Sequence, residues 1–144
     1  MDPLPHRYRV DAASDAEHIT LSAPGLPPIT SAPPLEFDGP GDQWSPETLF
    51  VAAAVDCFIL TFRAIARASS FVWERLSCSG EGVLDRVDGT TRFTGLALSA
   101  RLTVPAGGDA QKAKRLLEKA DRSCLITNSL PLRPTLTCEV GVGR

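Results

Sequence analysis

Between Leu49 and Phe62 the only polar residues are Asp56 and Thr61, so this stretch is apolar on nearly every side of a helix. No further glycine or proline interrupts the run from Pro46 to about Ser69. Ser45-Pro46 supplies its start, because serine caps a helix and proline is tolerated at the first helical position. A helix hydrophobic all round must be covered all round. One sheet and one amphipathic helix from so small a chain cannot easily enclose it, and a second subunit is expected to complete the cover. The run reads as too short, and interrupted by Asp56, for a transmembrane span.

The remaining pattern alternates strands with one more helix. His6 to Val10 and Glu17 to Ser22 read as short β runs, with His6 and His18 as surface strand residues. Trp73 to Leu84 and Thr90 to Val104 read as strands joined by a turn at Asp88-Gly89. In the second, Leu96, Leu98, Ala100, Leu102 and Val104 alternate with smaller or polar residues, the period of a half-buried strand. After Gly107-Gly108, Asp109 is placed to cap a helix whose stripe is Ala113, Leu116, Leu117 and Ala120. Cys124 continues that stripe and is expected on the core side. The last strand, Pro134 to Val142, puts Leu136, Cys138, Val140 and Val142 on one face.

From Ala23 to Pro46 the chain carries Pro24, Pro27, Pro28, Pro33, Pro34, Pro40 and Pro46, a density no continuous helix survives. It reads as an ordered, partly extended connection with Leu35, Phe37 and Trp44 as apolar anchors.

Composition narrows the class. The 144 residues read as one domain, 1–144, with 43% hydrophobic content. A net charge of −2 without a basic block gives no electrostatic footprint for nucleic acid or an anionic membrane. The N-terminus MDPLPHRYRV lacks the apolar core of a secretory signal, and four cysteines without a signal point to a reducing cytosol, hence a cytoplasmic protein. Cys57, Cys78, Cys124 and Cys138 form no C-x-x-C, and no His/Asp/Glu cluster has metal-ligand spacing, so neither metal nor cofactor is expected. Free cysteine usually behaves as a small core hydrophobe. Cys78 and Cys138 fit that description, whereas Cys57 in the apolar helix and Cys124 just after the amphipathic one have unlike settings.

The stretch from Ser45 to Phe58, SPETLFVAAAVDCF, the later LEKADRSC ending at Cys124, and FDGPG from Phe37 resemble the OsmC/Ohr family of thiol-dependent peroxidases. The similarity spans nearly the whole chain. It implies an α+β fold in which two subunits intertwine as a homodimer, with antiparallel sheets wrapped around long central helices. It also implies a peroxidatic cysteine matching Cys57 and a resolving cysteine matching Cys124, acting on organic hydroperoxides and, in some members, hydrogen peroxide, with an external dithiol as reductant. The resemblance thereby implies an antioxidant role in oxidative stress. Glu47 matches the family's glutamate, which there pairs with the active-site arginine. It precedes Cys57 by ~15 Å along one helix, so the resemblance implies that the glutamate of the partner subunit orients an arginine, Arg9 first and Arg7 second, toward the sulfur. A simpler reading has Glu47 complementing the helix N-terminus. The chain departs from the Ohr pattern at two points. It has no Gly-Gly-Arg, and Leu125 rather than proline follows Cys124.

The chemistry has its own demands. The nucleophile is the thiolate, and apolar surroundings raise a thiol's pKa, so Cys57 needs a nearby cation or donor. Mid-helix it receives little help from the dipole. Asp56 points about 100° away from Cys57 around the helix and reads as a buried hydrogen-bonding or interface residue. Two further readings stand beside the peroxidase: a non-catalytic relative binding a hydrophobic small molecule in the dimer groove, and a thiol redox sensor or interaction protein.

Overall fold

The computed structural model describes residues 1–143. Residues Met1–Leu49 form one compact unit and the chain from Phe50 onward a second. In the first, β1 (Asp11–Ser14), β2 (Ile19–Ser22) and β3 (Ile29–Ser31) make an antiparallel sheet in that order. The strand expected at His6 to Val10 is absent; pairing begins at Asp11. The next expected strand, Glu17 to Ser22, starts at Ile19 instead, and the turn before it gives the reason. The Asp15 carboxylate accepts the backbone N–H groups of Glu17 (2.8 Å) and His18 (2.7 Å), which takes both residues out of β2. The same two N–H groups, His18 first, hold the Asp15 carboxyl below its usual range.

The proline-rich connection is ordered through its backbone. A short 3-10 turn at Leu35–Phe37 and a bridge between Ser31 and Trp44 fix its path, with the Ala32 N–H donating to the Trp44 carbonyl at 2.9 Å. Its expected anchors do not anchor: Leu35, Phe37 and Trp44 are all more than half exposed. Ser31, Ala32 and Ser45 are the buried residues here, so main-chain pairing outweighs side-chain burial.

The helix α1 runs Pro46–Ala68. Ser45 and Thr48 cap it reciprocally: the Thr48 N–H donates to Ser45 Oγ at 3.1 Å and the Ser45 N–H to Thr48 Oγ1 at 2.9 Å. It ends where Ser70 turns left-handed (φ 49°) and the Phe71 N–H reaches back to the Ala66 carbonyl, a Schellman closure. With 23 residues and mean hydropathy 2.0 over its best window, α1 is long and apolar enough to cross a membrane, so length does not argue against a span. One side of it packs inward: Ala54, Phe58, Phe62 and Ala66, spaced four apart, are fully buried, the last three in the core formed with the second sheet.

That sheet comprises β4 (Arg75–Val87), β5 (Thr90–Val104) and β6 (Thr135–Val142) in the order β4-β5-β6. Asp88 and Gly89, both at positive φ, make the tight hairpin turn. The sheet is mixed where antiparallel sheets were expected: β6 runs parallel to β5. Parallel neighbours need a crossover, and α2 (Ala110–Ser123) with the short α3 (Leu125–Asn128) supplies it. The β5 face reads as its alternation requires, with Leu96, Leu98, Ala100, Leu102 and Val104 buried. On β6, Leu136, Cys138 and Val140 pack on the core while Val142 is exposed. Two β4 glycines set the height of α1 over the sheet. A Cβ on Gly80 would lie 2.6 Å from Val55 Cγ2, and one on Gly82 would lie 2.8 Å from Val51 Cγ2. Asp109 caps α2 by accepting the Lys112 N–H at 2.9 Å, and Ala113, Leu116, Leu117 and Ala120 complete the core.

Candidate active site

Close packing of α1 on the sheet fixes the face on which Cys57 stands, at the edge of the buried stripe and half-buried. Its Sγ lies 3.8 Å from Thr61 Oγ1, one helical turn on. Cys124 is 1% exposed and occupies the joint between α2 and α3, with extended backbone (φ −67°, ψ 112°) that ends one helix and starts the next. The stripe of α2 therefore carries through to Cys124 although the residue lies just past the helix. The two thiols are free and sit side by side, each influencing the ionisation of the other.

The first turn of α3 provides the polar environment. The first N–H groups of a helix have no intrahelical partner, and the first α3 bond runs from the Asn128 N–H to the Cys124 carbonyl at 2.9 Å. The N–H groups of Ile126 and Thr127 are left to the sulfurs. Ile126 acts on both thiols and Thr127 on Cys124. Thr127 is itself fully buried, and its hydroxyl donates to the Cys124 carbonyl at 3.3 Å. Cys124 makes no capping hydrogen bond to α3 as a neutral thiol, but these donors favour its charged form.

The electrostatics are asymmetric. Burial pushes the Cys57 thiol above its ordinary value and the adjacent Cys124 adds to the rise, against the Ile126 N–H and the Thr61 hydroxyl. Burial is also the largest single influence on Cys124, and upward. The Thr127 N–H and hydroxyl, the Cys57 thiol and the Ile126 N–H together outweigh it and lower the Cys124 pKa. Of the two thiols, Cys124 is therefore the first to ionise as pH rises.

The other residues singled out in the sequence lie in the first unit, on α1 or in the second sheet. Arg9 is exposed and pairs with Asp11 at 3.2 Å, and Arg7 is exposed. Glu47 is in the first turn of α1, half-buried, with Oε2 buried and without a hydrogen-bond partner among the described residues. Asp56 is exposed. Cys78 and Cys138 flank Ala100 in register, Cys78 opposite it on β4 and Cys138 on β6, and both pack on the core. Burial pushes the Cys78 thiol up to about 11. Among the described residues, no group of three or more His, Cys, Asp or Glu is arranged to hold a metal. Thr61, Ile126 and Thr127 escaped the sequence reading. The signal for the threonines was their position, one turn after Cys57 and three residues after Cys124.

An α+β fold with two sheets, one long apolar helix and two facing thiols defines the class, and comparison with known proteins agrees. The chain belongs to the OsmC-like protein family, whose defining pattern matches residues 39–139. It is 31% identical over 114 residues to the uncharacterized protein YmaD of Bacillus subtilis (strain 168), covering 76% of this chain and 75% of that one. An OsmC-like protein of unknown function from Vibrio cholerae has the same fold, with a TM-score of 0.86 at 18% identity over 94% of this chain and 100% of the other. The organic hydroperoxide resistance protein OsmC from Legionella pneumophila superposes with a TM-score of 0.75 at 25% identity, covering 97% of this chain and all of that one.

Proposed function

We propose that the protein is a thiol peroxidase that reduces organic hydroperoxides through Cys57 and Cys124. The observation that carries the reading is the meeting of these two free thiols from separate elements, in a surround of N–H and hydroxyl donors. Cys57 is the more accessible sulfur and Cys124 the buried one, which suits the first to an external substrate and the second to a partner already in place.

Once Cys124 ionises, its thiolate is a base beside the Cys57 thiol. Transfer of that proton leaves Cys57 as the thiolate, whose sulfur attacks the terminal oxygen of the hydroperoxide. An S–O bond forms and the O–O bond breaks. The substrate leaves as an alcohol after taking up a proton, and Cys57 is oxidised by two electrons to the sulfenic acid. Cys124 then attacks that sulfur, the S–S bond forms and water departs. An external dithiol restores both thiols by two exchange steps and is itself oxidised to a disulfide. The same reading has two copies of the chain assembling as a homodimer and working in the cytoplasm, with Arg9 or Arg7 oriented by Glu47 as the cation that favours the Cys57 thiolate.

Hydroperoxide consumption with a dithiol present tests this assignment. Cys57→Ser abolishes it, while Cys124→Ser stops turnover but still permits a single oxidation at Cys57. A Cys57→Ser protein with full turnover rules the mechanism out.

A further inference from the structure

Thr61 is the uncharged member of the two polar residues between Leu49 and Phe62. A threonine inside a helix commonly turns its hydroxyl back to the carbonyl of the preceding turn. Here the hydrogen-bond partner of that hydroxyl among the described residues is sulfur: Thr61 Oγ1 lies 3.8 Å from Cys57 Sγ. Residues four apart are neighbours on a helix surface, so α1 by itself brings the two side chains together. Thr61 is half-buried, as Cys57 is, and the pair stands at the margin of the core rather than in bulk water. Branching at Cβ limits the rotamers of Thr61 and so the positions its hydroxyl can take.

We propose that Thr61 is a catalytic residue of the peroxidase read above, its hydroxyl donating to the Cys57 sulfur as the thiolate forms. The inference rests on that reading and names a side chain of α1 that helps to meet its first demand. A hydroxyl serves both states of its neighbour, since it accepts from a thiol and, after rotating, donates to a thiolate. A hydrogen bond with a charged partner is roughly twice as strong as one between neutral groups, so the contact favours ionisation. Burial raises the Cys57 pKa, and Cys124, the titratable neighbour from the joint between α2 and α3, adds to the rise. The Ile126 N–H and the Thr61 hydroxyl pull the other way. The proton therefore has Cys124 to go to, and the charge left on Cys57 has a donor from its own helix. That donor matters because of where Cys57 stands: mid-helix it draws little on the dipole, and Arg7 and Arg9 are exposed in the first unit.

Thr61→Val tests the assignment, because valine keeps the branching of threonine and nearly its helix propensity, and the hydroxyl is what goes. The readout is the alkylation rate of Cys57 against pH, followed on its own peptide by mass spectrometry so that the other cysteines do not enter. The midpoint rises by about one pH unit, the size expected when a charge-assisted hydrogen bond is lost. Below the wild-type midpoint a single oxidation by an organic hydroperoxide slows roughly three- to tenfold, because there is less thiolate although a more basic one attacks somewhat faster. The gap narrows once pH passes that midpoint. Thr61→Ser restores both the midpoint and the rate, and denaturant unfolding shows no loss of stability in Thr61→Val, which separates the role from a structural one. If valine disturbs the helix, Thr61→Ala against Thr61→Ser makes the same comparison. A midpoint that Thr61→Val leaves in place overturns the proposal, whatever happens to the oxidation rate, and so does a shifted midpoint that Thr61→Ser shares. A wild-type Cys57 that is alkylated but ignores hydroperoxide overturns the peroxidase reading instead, and the midpoint then decides alone whether Thr61 serves that thiol.

Discussion

Cys57 and Cys124 face one another although one stands midway along α1 and the other closes the joint between α2 and α3. Their ionisations are therefore linked. Cys124, the first of the two to ionise, raises the Cys57 pKa beyond the larger effect of burial. Cys124→Ser removes that charge while keeping a small polar side chain. The Cys57 thiol then titrates at lower pH than in the wild type, as followed by thiolate absorbance or alkylation rate against pH. An unchanged or higher Cys57 pKa in the variant contradicts the assignment of charge within the pair.

The height of α1 above the sheet depends on Gly80. Its missing Cβ is replaced by Val55 Cγ2 at 2.6 Å and Val51 Cγ1 at 3.0 Å, so Gly80→Ala forces the helix or the strand to move. Overpacking of this kind costs about 1–3 kcal/mol. Denaturant unfolding is expected to show that loss, and a change within about 0.5 kcal/mol, the range of an innocuous surface substitution, shows that the contact yields without cost.

The alternation of β5 and the stripe of α2 were legible in the sequence because each element is half-buried, and a single period fixes which side faces the core. The reading weakened where backbone hydrogen bonds decide. Asp15 claims the N–H groups of Glu17 and His18 and so moves the first hairpin, and main-chain pairing at Ala32 and Trp44 orders a segment whose aromatic side chains remain outside. The parallel placement of β6 was not legible from periodicity, which is the same for either strand direction. At the site, the cysteines stood out by their surroundings. The donors beside them did not, since the N–H groups of Ile126 and Thr127 matter only because α3 begins at Cys124.

Alkaline stability separates Cys78 from the redox pair. Its folded pKa of about 11 lies above the ordinary thiol value of 9.0. Between those values the folded state holds a proton that the unfolded chain releases, so the stabilising contribution is full below about pH 9 and is lost as pH rises toward 11. Cys78→Ala is expected to flatten the fall of unfolding free energy over that window while leaving hydroperoxide turnover intact. The same alkaline slope in the variant places the responsible group elsewhere.

The central claim is that Cys57 and Cys124 form one redox couple. Peptide mapping by mass spectrometry after one equivalent of an organic hydroperoxide tests it most directly. The account predicts one new disulfide, between Cys57 and Cys124, with Cys78 and Cys138 still reduced, and its disappearance on adding a dithiol. Oxidation that leaves Cys124 free in the wild type, or that joins Cys57 to any other cysteine, contradicts it.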